Sequence, residues 1–369
     1  MTSTDELKYY IGFSRIPGIG RVRIAQLRDY FGNLEQAWKA TEVDFRRAGL
    51  DSKATEAFLS LKPKINPDSE IEKLEHYHVT ALNSEDPRYP QLLREIYDYP
   101  PILYLRGNLL TQDEPYLSVV GTRRPTIYGR QVTEEIVRDL AQCKVTIVSG
   151  LARGIDSIAH RSTLDVQGKT IAVLASGLDY IYPPENTKLA RDIMEQGTLI
   201  SEYPLGIRPK PEYFPMRNRI MSGLSLGVLV VEAGQKSGAL ITAFQALEQN
   251  REVFAIPGSI LSATSKGTNE LIQQGAKLVC NFNDILEELN LATATPQQLN
   301  IKEFIASNES ENTILKQLSS EPVHIDEICR LSGLGMAEVG STLAMLELKG
   351  AIRQIGNMNY TLAQEMRNK

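Results

Sequence analysis

Cysteine and histidine are scarce in this chain of 369 residues. The three cysteines, Cys143, Cys280 and Cys329, lie far apart, which argues against a disulfide framework and against a zinc ribbon. The four histidines show no metal-ligand spacing. No apolar run is long enough to cross a bilayer, and the polar start MTSTDELKYY is not a signal peptide. We therefore expect a cytoplasmic protein with reduced thiols, no metal, no cofactor and no membrane contact.

Excess positive charge is also lacking overall, since the net charge is −5. The average hides a pattern, however. Residues 116–280 carry 18 basic and 15 acidic side chains, whereas both flanking segments are acidic. The arginines of the middle segment lie near glycines. An anionic ligand is therefore expected in this middle segment.

Short apolar runs alternate with stretches of helical length between residues 103 and 280. This alternation predicts an α/β domain with a Rossmann-like, doubly wound and mostly parallel sheet. Ligands bind such sheets at the carboxyl ends of the strands. The predicted strands are LSVVG (117–121), VTIVSG (145–150), TIAVLASG (170–177), TLISEY (198–203), GVLVVEA (227–233), EVFAIPG (252–258) and KLVCN (277–281).

The segments on either side of this domain have different patterns. Residues 1–82 predict short helices, with Gly18 and Gly20 permitting a tight turn between two of them. This resembles a helix–hairpin–helix, whose amides can hold a DNA phosphate beside Arg21 and Arg23. A small helical domain without a ligand is the alternative.

A polar linker at 291–311 separates the expected Rossmann-like domain, 83–290, from residues 312–369. The last segment predicts a winged helix. Its helices are expected at Thr313–Leu318, Ile325–Ser332 and Met336–Lys349, and its strands at Ile352–Gln354 and Asn359–Leu362, around a turn at Gly356–Asn357.

Four segments combine glycine or a small hydroxyl residue with a cation or with the start of a helix: VGTRRP (120–125), SGLARGID (149–156), FPMRNRI (214–220) and EAGQKSGALITA (232–243). Glycine lets backbone amides approach an anion, and a helix start adds unpaired N–H groups. Arginine can bind a phosphate through two hydrogen bonds. Several such segments at one sheet edge indicate a groove for several phosphates.

These segments, together with VLASGLDYIYPPEN, ISEYPLG, VFAIPGS and GTNELIQQGA, resemble in their order the signature segments of the DNA-processing DprA/Smf family. The resemblance implies a SAM-like helical domain before the Rossmann-like one. It also implies binding and protection of single-stranded DNA, and loading of the recombinase RecA during natural transformation, without catalysis. Single-strand binding protein is a further partner that it admits.

The resemblance also implies which residues bind DNA. Arg123 would hold a phosphate, and Phe214 would stack under a base unless it is a core anchor. Arg217, Asn218 and Arg219 would orient the strand or hold the loop. Asp156 is expected to brace its loop, and His160 to pack on its helix. The implied DNA-binding residues are Gly121, Thr122, Arg123, Ser149, Gly150, Arg153, Gly154, Lys210, Phe214, Arg217, Asn218, Arg219, Ser237 and Gly238.

A homodimer through the Rossmann-like domain is the assembly that the resemblance implies, near Asn269–Val279. Ile272 and Leu278 are its candidate interface residues, although apolar side chains beside an end strand could equally be core.

Two other functions remain as alternatives. A related superfamily of nucleotide phosphoribohydrolases uses a loop that contains a glutamate, but here no acid occurs between Glu232 and Glu248. A winged-helix repressor would read duplex DNA, but the candidate recognition helix has one cation, Lys349, beside Glu338 and Glu347. We therefore expect the winged helix to bind a protein or to regulate access to the groove.

Overall fold

The computed structural model describes residues 4–108, 114–291, 309–318, 322–349, 351–356 and 358–362. They belong to two compact units, one ending at Ala294 and the other beginning at Thr295. Within the described residues, no helix has the length and apolar character that a bilayer span requires.

Six helices open the first unit: α1 (Thr4–Ser14), α2 (Arg21–Phe31), α3 (Leu34–Lys39), α4 (Glu42–Arg47), α5 (Ser52–Leu61) and α6 (Pro67–His76), with a short 3₁₀ turn at Lys62–Lys64. Side chains cap several of them, as where Asp51 accepts a hydrogen bond from the Ala54 amide. Gly18 has a φ of +85° in the turn between α1 and α2. A helical hairpin therefore lies where the sequence predicts it.

A nine-stranded sheet forms the centre of the same unit. Its spatial order is β1-β2-β6-β5-β4-β3-β7-β8-β9. The seven strands from β3 onward are parallel, whereas β1 and β2 are antiparallel to their neighbours. The strands are β1 (Thr80–Asn83), β2 (Ile102–Gly107), β3 (Tyr116–Val120), β4 (Thr146–Ser149), β5 (Thr170–Val173), β6 (Thr198–Ser201), β7 (Gly227–Val230), β8 (Glu252–Ala255) and β9 (Lys277–Leu278). The predicted mostly parallel, doubly wound sheet is confirmed.

Helices cover both faces of this sheet. They are α7 (Gln91–Glu95), α8 (Ile127–Gln142), α9 (Ile155–Asp165), α10 (Thr187–Gln196), α11 (Tyr213–Leu224), α12 (Gly238–Glu248), α13 (Lys266–Gln273) and α14 (Phe282–Glu288), with a 3₁₀ turn at Pro184–Asn186. One apolar core joins α11 and α12 to one face, and another joins α8, α9 and α14 to the opposite face. Because both faces are covered, the central strands are buried throughout and lack polar alternation.

The N-terminal helices share a core with the sheet. Phe13 of α1 belongs to the same buried cluster as Tyr104 of β2 and Leu199 of β6. The Tyr104 hydroxyl lies 3.1 Å from the Ser14 hydroxyl, and Arg15 donates to the Leu205 carbonyl at 3.0 Å. The boundary expected at residue 82 therefore lies inside one continuously packed unit.

The second unit has the winged-helix order. Its elements are α15 (Glu309–Gln317), β10 (Val323–His324), α16 (Ile325–Ser332), α17 (Met336–Leu348), β11 (Ile352–Gln354) and β12 (Asn359–Leu362), with strand order β10-β12-β11. Its core joins Ile314, Ile328 and Leu343 from the three helices. The predicted strands at 352–354 and 359–362 occur with those bounds, whereas β10 was not predicted. Most of the expected linker, and Asn357 of the expected turn, lie outside the described residues.

Candidate nucleic-acid interface

The main cleft opens where the winding of the sheet changes direction. From β3 the chain proceeds to β4, β5 and β6 on one side, and β7, β8 and β9 lie on the other. Such a switch point leaves a crevice beyond the carboxyl ends of the strands. Here the crevice has a volume of about 640 Å³, and the loops after β3 and β7 line it together with α11. We call it the switch-point cleft.

Eight of the residues inferred from the sequence line this cleft: Gly121, Thr122, Arg123, Phe214, Arg217, Asn218, Ser237 and Gly238. Gly150 and Arg153 line a smaller adjoining cavity that shares Arg123 and Phe214 with it. The other four, Ser149, Gly154, Lys210 and Arg219, line neither cavity.

Ser149 and Gly150 make hydrogen bonds within the protein. The Ser149 hydroxyl is buried and donates to the Val119 carbonyl at 2.7 Å. The Gly150 amide donates to the Asp156 carboxylate at 3.1 Å, as does the Ala152 amide at 3.3 Å. The expectation that Ser149 and Gly150 offer these groups to a ligand is therefore wrong, whereas Asp156 braces its loop as expected.

Gly154 allows two loops to pack closely. It has a φ of +76°, and a Cβ there would lie 2.3 Å from the Thr122 carbonyl oxygen. The next residue, Ile155, donates its amide to the same oxygen at 3.2 Å. A side chain at position 154 would separate the loops, so this glycine positions the Arg123 loop and contributes no contact of its own to the cleft.

Arg217 lines the cleft, but its guanidinium is hydrogen-bonded to backbone carbonyls. Its Nη1 donates to the Gly150 carbonyl at 2.7 Å and also to the Val173 carbonyl. Burial lowers the pKa of Arg217 to about 10, and Asp156 opposes that shift. This arginine therefore ties together the ends of β4 and β5 from α11.

Arg219 points away from the switch-point cleft, contrary to the expectation from sequence. It is 6% exposed and pairs with Asp98 at 3.1 Å and with Glu202 at 2.5 Å. The reason is helical spacing. Arg217 and Asn218 share a face of α11 with Phe214, whereas Arg219 lies on the opposite face.

The exposed cations of the cleft are Arg123, Arg124 and Lys236. The only acidic side chain among its lining residues is Asp156, which is buried. The cleft therefore has positive potential at its surface, which favours an anion. Sequence reasoning missed Lys236, although it stands in the quoted loop EAGQKSGALITA between Glu232 and the start of α12.

Phe214 provides an accessible ring. It is half-buried and belongs to none of the hydrophobic cores, so the core-anchor alternative is wrong. The Arg123 guanidinium lies 5.7 Å from its ring centre, and the Tyr182 ring centre is 5.8 Å away. Lys210 is exposed near this end of α11, with its Nζ 5.4 Å from the Tyr213 ring centre. A cation beside an accessible ring suits a phosphate followed by a stacked base.

The start of α8 is occupied by a side chain of the protein. The buried Glu232 carboxylate accepts hydrogen bonds from the Thr126 amide at 2.9 Å and from its hydroxyl at 2.6 Å. In dinucleotide-binding sheets the pyrophosphate occupies the start of the helix that follows the first strand. Glu232 would repel a pyrophosphate there, so the switch-point cleft does not suit a dinucleotide bound in that way.

The start of α12 is more open. Ser237 caps this helix by accepting a hydrogen bond from the Ala239 amide at 3.3 Å. Apart from its chain neighbours and the backbone of its own helix, no described atom lies within 4 Å of the position that a Cβ on Gly238 would take. A phosphate could therefore approach the positive end of α12 beside Lys236.

His160 has no role in the cleft. It is fully buried, and its Nδ1 lies 2.7 Å from the Thr170 hydroxyl. Burial lowers its pKa to about 3, so the ring is neutral near pH 7. It packs on its helix, as expected from the sequence. Among the described residues, no three His, Cys, Asp or Glu side chains are placed to hold a metal ion.

Comparison with protein-family models gives two matches. Residues 80–290 match the family described as DNA recombination-mediator protein A. The chain belongs to this family. Residues 293–357 match the DprA winged helix domain, which agrees with the fold of the second unit.

Individual relatives agree. The chain is 36% identical to Protein Smf of Synechocystis over 97% of its own length and 99% of that protein, and 39% identical to Protein Smf of Escherichia coli over 85% of both. The crystal structure of DNA processing protein A from Streptococcus pneumoniae matches 78% of this chain and 99% of its own, with 38% identity and a TM-score of 0.67. The structure of the Helicobacter pylori protein, whose single-stranded DNA binding mode has been described, matches 59% of this chain and 98% of its own, with 33% identity and a TM-score of 0.53.

Proposed function

We propose that this protein binds single-stranded DNA in the switch-point cleft, protects it, and passes it to the recombinase RecA during DNA recombination and natural transformation. The main observation behind this proposal is that the Arg123 guanidinium lies over the accessible Phe214 ring. The other exposed charged side chains of the cleft are also cations. Cations bind the backbone of any sequence, and a ring stacks with any base. Single-stranded DNA binding by a relative of the same fold supports this proposal.

The cleft favours a strand over a duplex because of the position of its ring. Phe214 can stack only with a base that is unstacked on one side, and bases inside a duplex are already stacked. The cations lie on loops around a crevice and not along a helix that could enter a major groove. Binding is therefore expected to depend little on sequence.

Catalysis is not part of the proposed function. N-glycosidic cleavage needs a general acid or base near the ligand. Glu232, the acid closest in sequence to the α12 loop, is bonded to Thr126 and to the Thr264 hydroxyl, the latter at 3.2 Å. Asp156 is buried and hydrogen-bonded to two amides. Neither carboxylate has the freedom of a catalytic group.

The winged helix suits a protein partner better than duplex DNA. Lys349, which follows the last residue of α17, pairs with Glu311 at 2.6 Å. The outward residues of α17 include Met345, 49% exposed, and Leu348, 84% exposed. Apolar side chains cannot read the hydrogen-bonding edges of base pairs. RecA and single-strand binding protein are the partners that we propose for this protein.

The first test compares single-stranded and duplex oligonucleotides at several salt concentrations. We expect tighter binding of the single strand, little dependence on its sequence, and a steep loss of affinity with salt because bound counterions are released. Gel shift or fluorescence anisotropy measures all three. Equal or tighter binding of one particular duplex would contradict the proposal and favour a repressor.

A homodimer through the outer edge of the sheet would place two clefts on one strand and raise the affinity through avidity. Both residues of β9 are exposed, Leu278 at 41%, and Ile272 is half-buried beside them. An open strand edge that exposes a leucine is a surface suited to association with another copy.

The dimer is tested by introducing charge at this edge. Leu278→Glu is expected to give a monomer by light scattering at micromolar concentration, because it would place two like charges in the interface. Ile272→Glu should act in the same direction but also destabilise the fold, since this side chain contacts the core. Val43→Glu, which adds the same charge at an exposed apolar position of α4 outside this edge, is the matched control. A wild-type protein that is monomeric at this concentration would contradict the proposal.

A further inference from the structure

A second cleft lies on the opposite side of α11. It has a volume of about 530 Å³ and is bordered by the turn at Gly18–Arg23, the segment 97–101, Glu202, and Met216 and Arg219 of α11. We call it the hairpin cleft, after the α1–α2 hairpin that forms one wall. None of the functions above uses it.

Its rim carries an exposed aromatic side chain. Tyr97 is 85% exposed, although tyrosine usually buries much of its ring. The Arg21 guanidinium lies 5.5 Å from the Tyr97 ring centre and 4.6 Å from that of Tyr99. One planar cation beside two rings, one of them open to solvent, forms a platform on which another flat group can stack.

Its floor holds a buried ion pair that is incompletely hydrogen-bonded. Arg219 is 6% exposed, yet its Nη1 has no hydrogen-bond partner among the described residues, and neither has Oε1 of Glu202. Both atoms are almost inaccessible, so a ligand in the cleft cannot hydrogen-bond to them directly, and they contribute to the floor as a fixed pair of opposite charges.

Helix α11 separates this cleft from the switch-point cleft. Phe214 and Asn218 line the latter, whereas Met216 and Arg219 line the hairpin cleft. A helix with its side chains is only about 10–12 Å wide. A strand stacked on Phe214 can therefore cross the first turn of α11 beside Met216, which is 48% exposed.

The charges of the hairpin cleft favour a base over a phosphate. Arg219 is balanced by Asp98 and Glu202, and Arg23 pairs with Asp51. Only Arg21 remains as an uncompensated cation among these residues, and its guanidinium lies against the two rings. Binding here should therefore come mainly from stacking, and should depend weakly on salt.

We propose that the hairpin cleft is a second base-binding subsite, in which a nucleobase of the same single strand stacks on Tyr97 after the strand has crossed α11. The proposal rests on single-strand binding in the switch-point cleft and extends it. It gives the α1–α2 hairpin a role in determining how many nucleotides are bound and which path the strand takes. The glycine turn of the hairpin does not by itself indicate this role.

The test compares Tyr97→Ala with wild type on thymidine oligonucleotides of two lengths, about 6 and about 16 nucleotides, which span the range of small single-strand sites. Tyr97→Ala is expected to weaken binding of the longer strand about fivefold or more, with an unchanged salt slope, and to leave the shorter strand unaffected. Tyr97→Phe keeps the ring and should bind like wild type. Tyr77→Ala, which removes a tyrosine that is 38% exposed outside this cleft, is the matched control.

The path is tested directly by photocrosslinking a longer strand that contains 5-iodouracil, with the adducts mapped by mass spectrometry. We expect adducts at Tyr97 as well as near Phe214. Unchanged affinity for the longer strand in Tyr97→Ala, or adducts confined to the switch-point cleft, would overturn the second subsite. Arg123→Ala, measured in parallel, distinguishes the two proposals: if it weakens both lengths while Tyr97→Ala weakens neither, only the hairpin cleft has been wrongly assigned.

Discussion

Replacing Arg123 with alanine is expected to weaken single-strand binding roughly 10- to 100-fold, the equivalent of ~1.5–3 kcal/mol for a charged hydrogen-bonded contact. It should also reduce the slope of log affinity against log salt by about 1, because one fewer counterion is released. The thermal midpoint should not change, since Arg123 is exposed and its guanidinium lies over the Phe214 ring. Anisotropy titrations at four salt concentrations and a thermal melt measure all three.

Two comparison variants separate the contributions to this effect. Arg161→Ala removes an exposed arginine from α9 that does not line the cleft, and should change affinity little. Phe214→Ala should lower affinity by roughly 1–3 kcal/mol through lost stacking, with little change in salt slope. If Arg123→Ala binds like wild type, and truncation after Asn290 abolishes binding, the DNA site lies outside the switch-point cleft.

The order of the elements could be predicted because it depends on local patterns. Each of the seven predicted strands overlaps a strand of the sheet, since strands buried on both faces are continuously apolar. β1 and β2 were missed. β1 and β2 form an antiparallel pair at one end of the sheet, so they stand apart from the repeated alternation of parallel strand and helix from which the other seven strands were predicted. β1 pairs with β2, and β2 in turn pairs with β6, about a hundred residues later in the chain.

The roles of the arginines could not be predicted in the same way. Arg123 stands two residues from Gly121, and Arg217 and Arg219 flank Asn218, in segments typical of phosphate binding. The structure separates them by partners that are distant in sequence: Val173 for Arg217, and Glu202 for Arg219. A motif indicates which residue types are present near the ligand, whereas burial and hydrogen bonding decide which of them remain available to it.

Arg217 is accordingly expected to contribute mainly to stability. Arg217→Met should lower the free energy of unfolding by about 3–5 kcal/mol, the usual effect when a buried charge loses its oppositely charged neighbour. The change leaves the Gly150 and Val173 carbonyls without their guanidinium donor and Asp156 without its neighbouring cation. Urea unfolding monitored by circular dichroism measures the difference. Arg217→Lys keeps the charge but loses the planar fork, and should be intermediate.

The pH dependence of this destabilisation gives a sharper test. Burial raises the pKa of Asp156, and Arg217 opposes that rise. A carboxyl group whose pKa is higher in the folded protein than in the unfolded chain stabilises the fold when protonated, and this stabilisation is lost as the pH rises through its folded pKa. Without Arg217 that pKa should rise further. The deficit of Arg217→Met relative to wild type should therefore be largest near pH 7 and smaller near pH 5, an effect that Arg217→Met combined with Asp156→Asn should remove. A deficit that is constant with pH would show that Arg217 does not act through Asp156, and a change in stability within ~0.5 kcal/mol of wild type would show that it does not brace the loops at all.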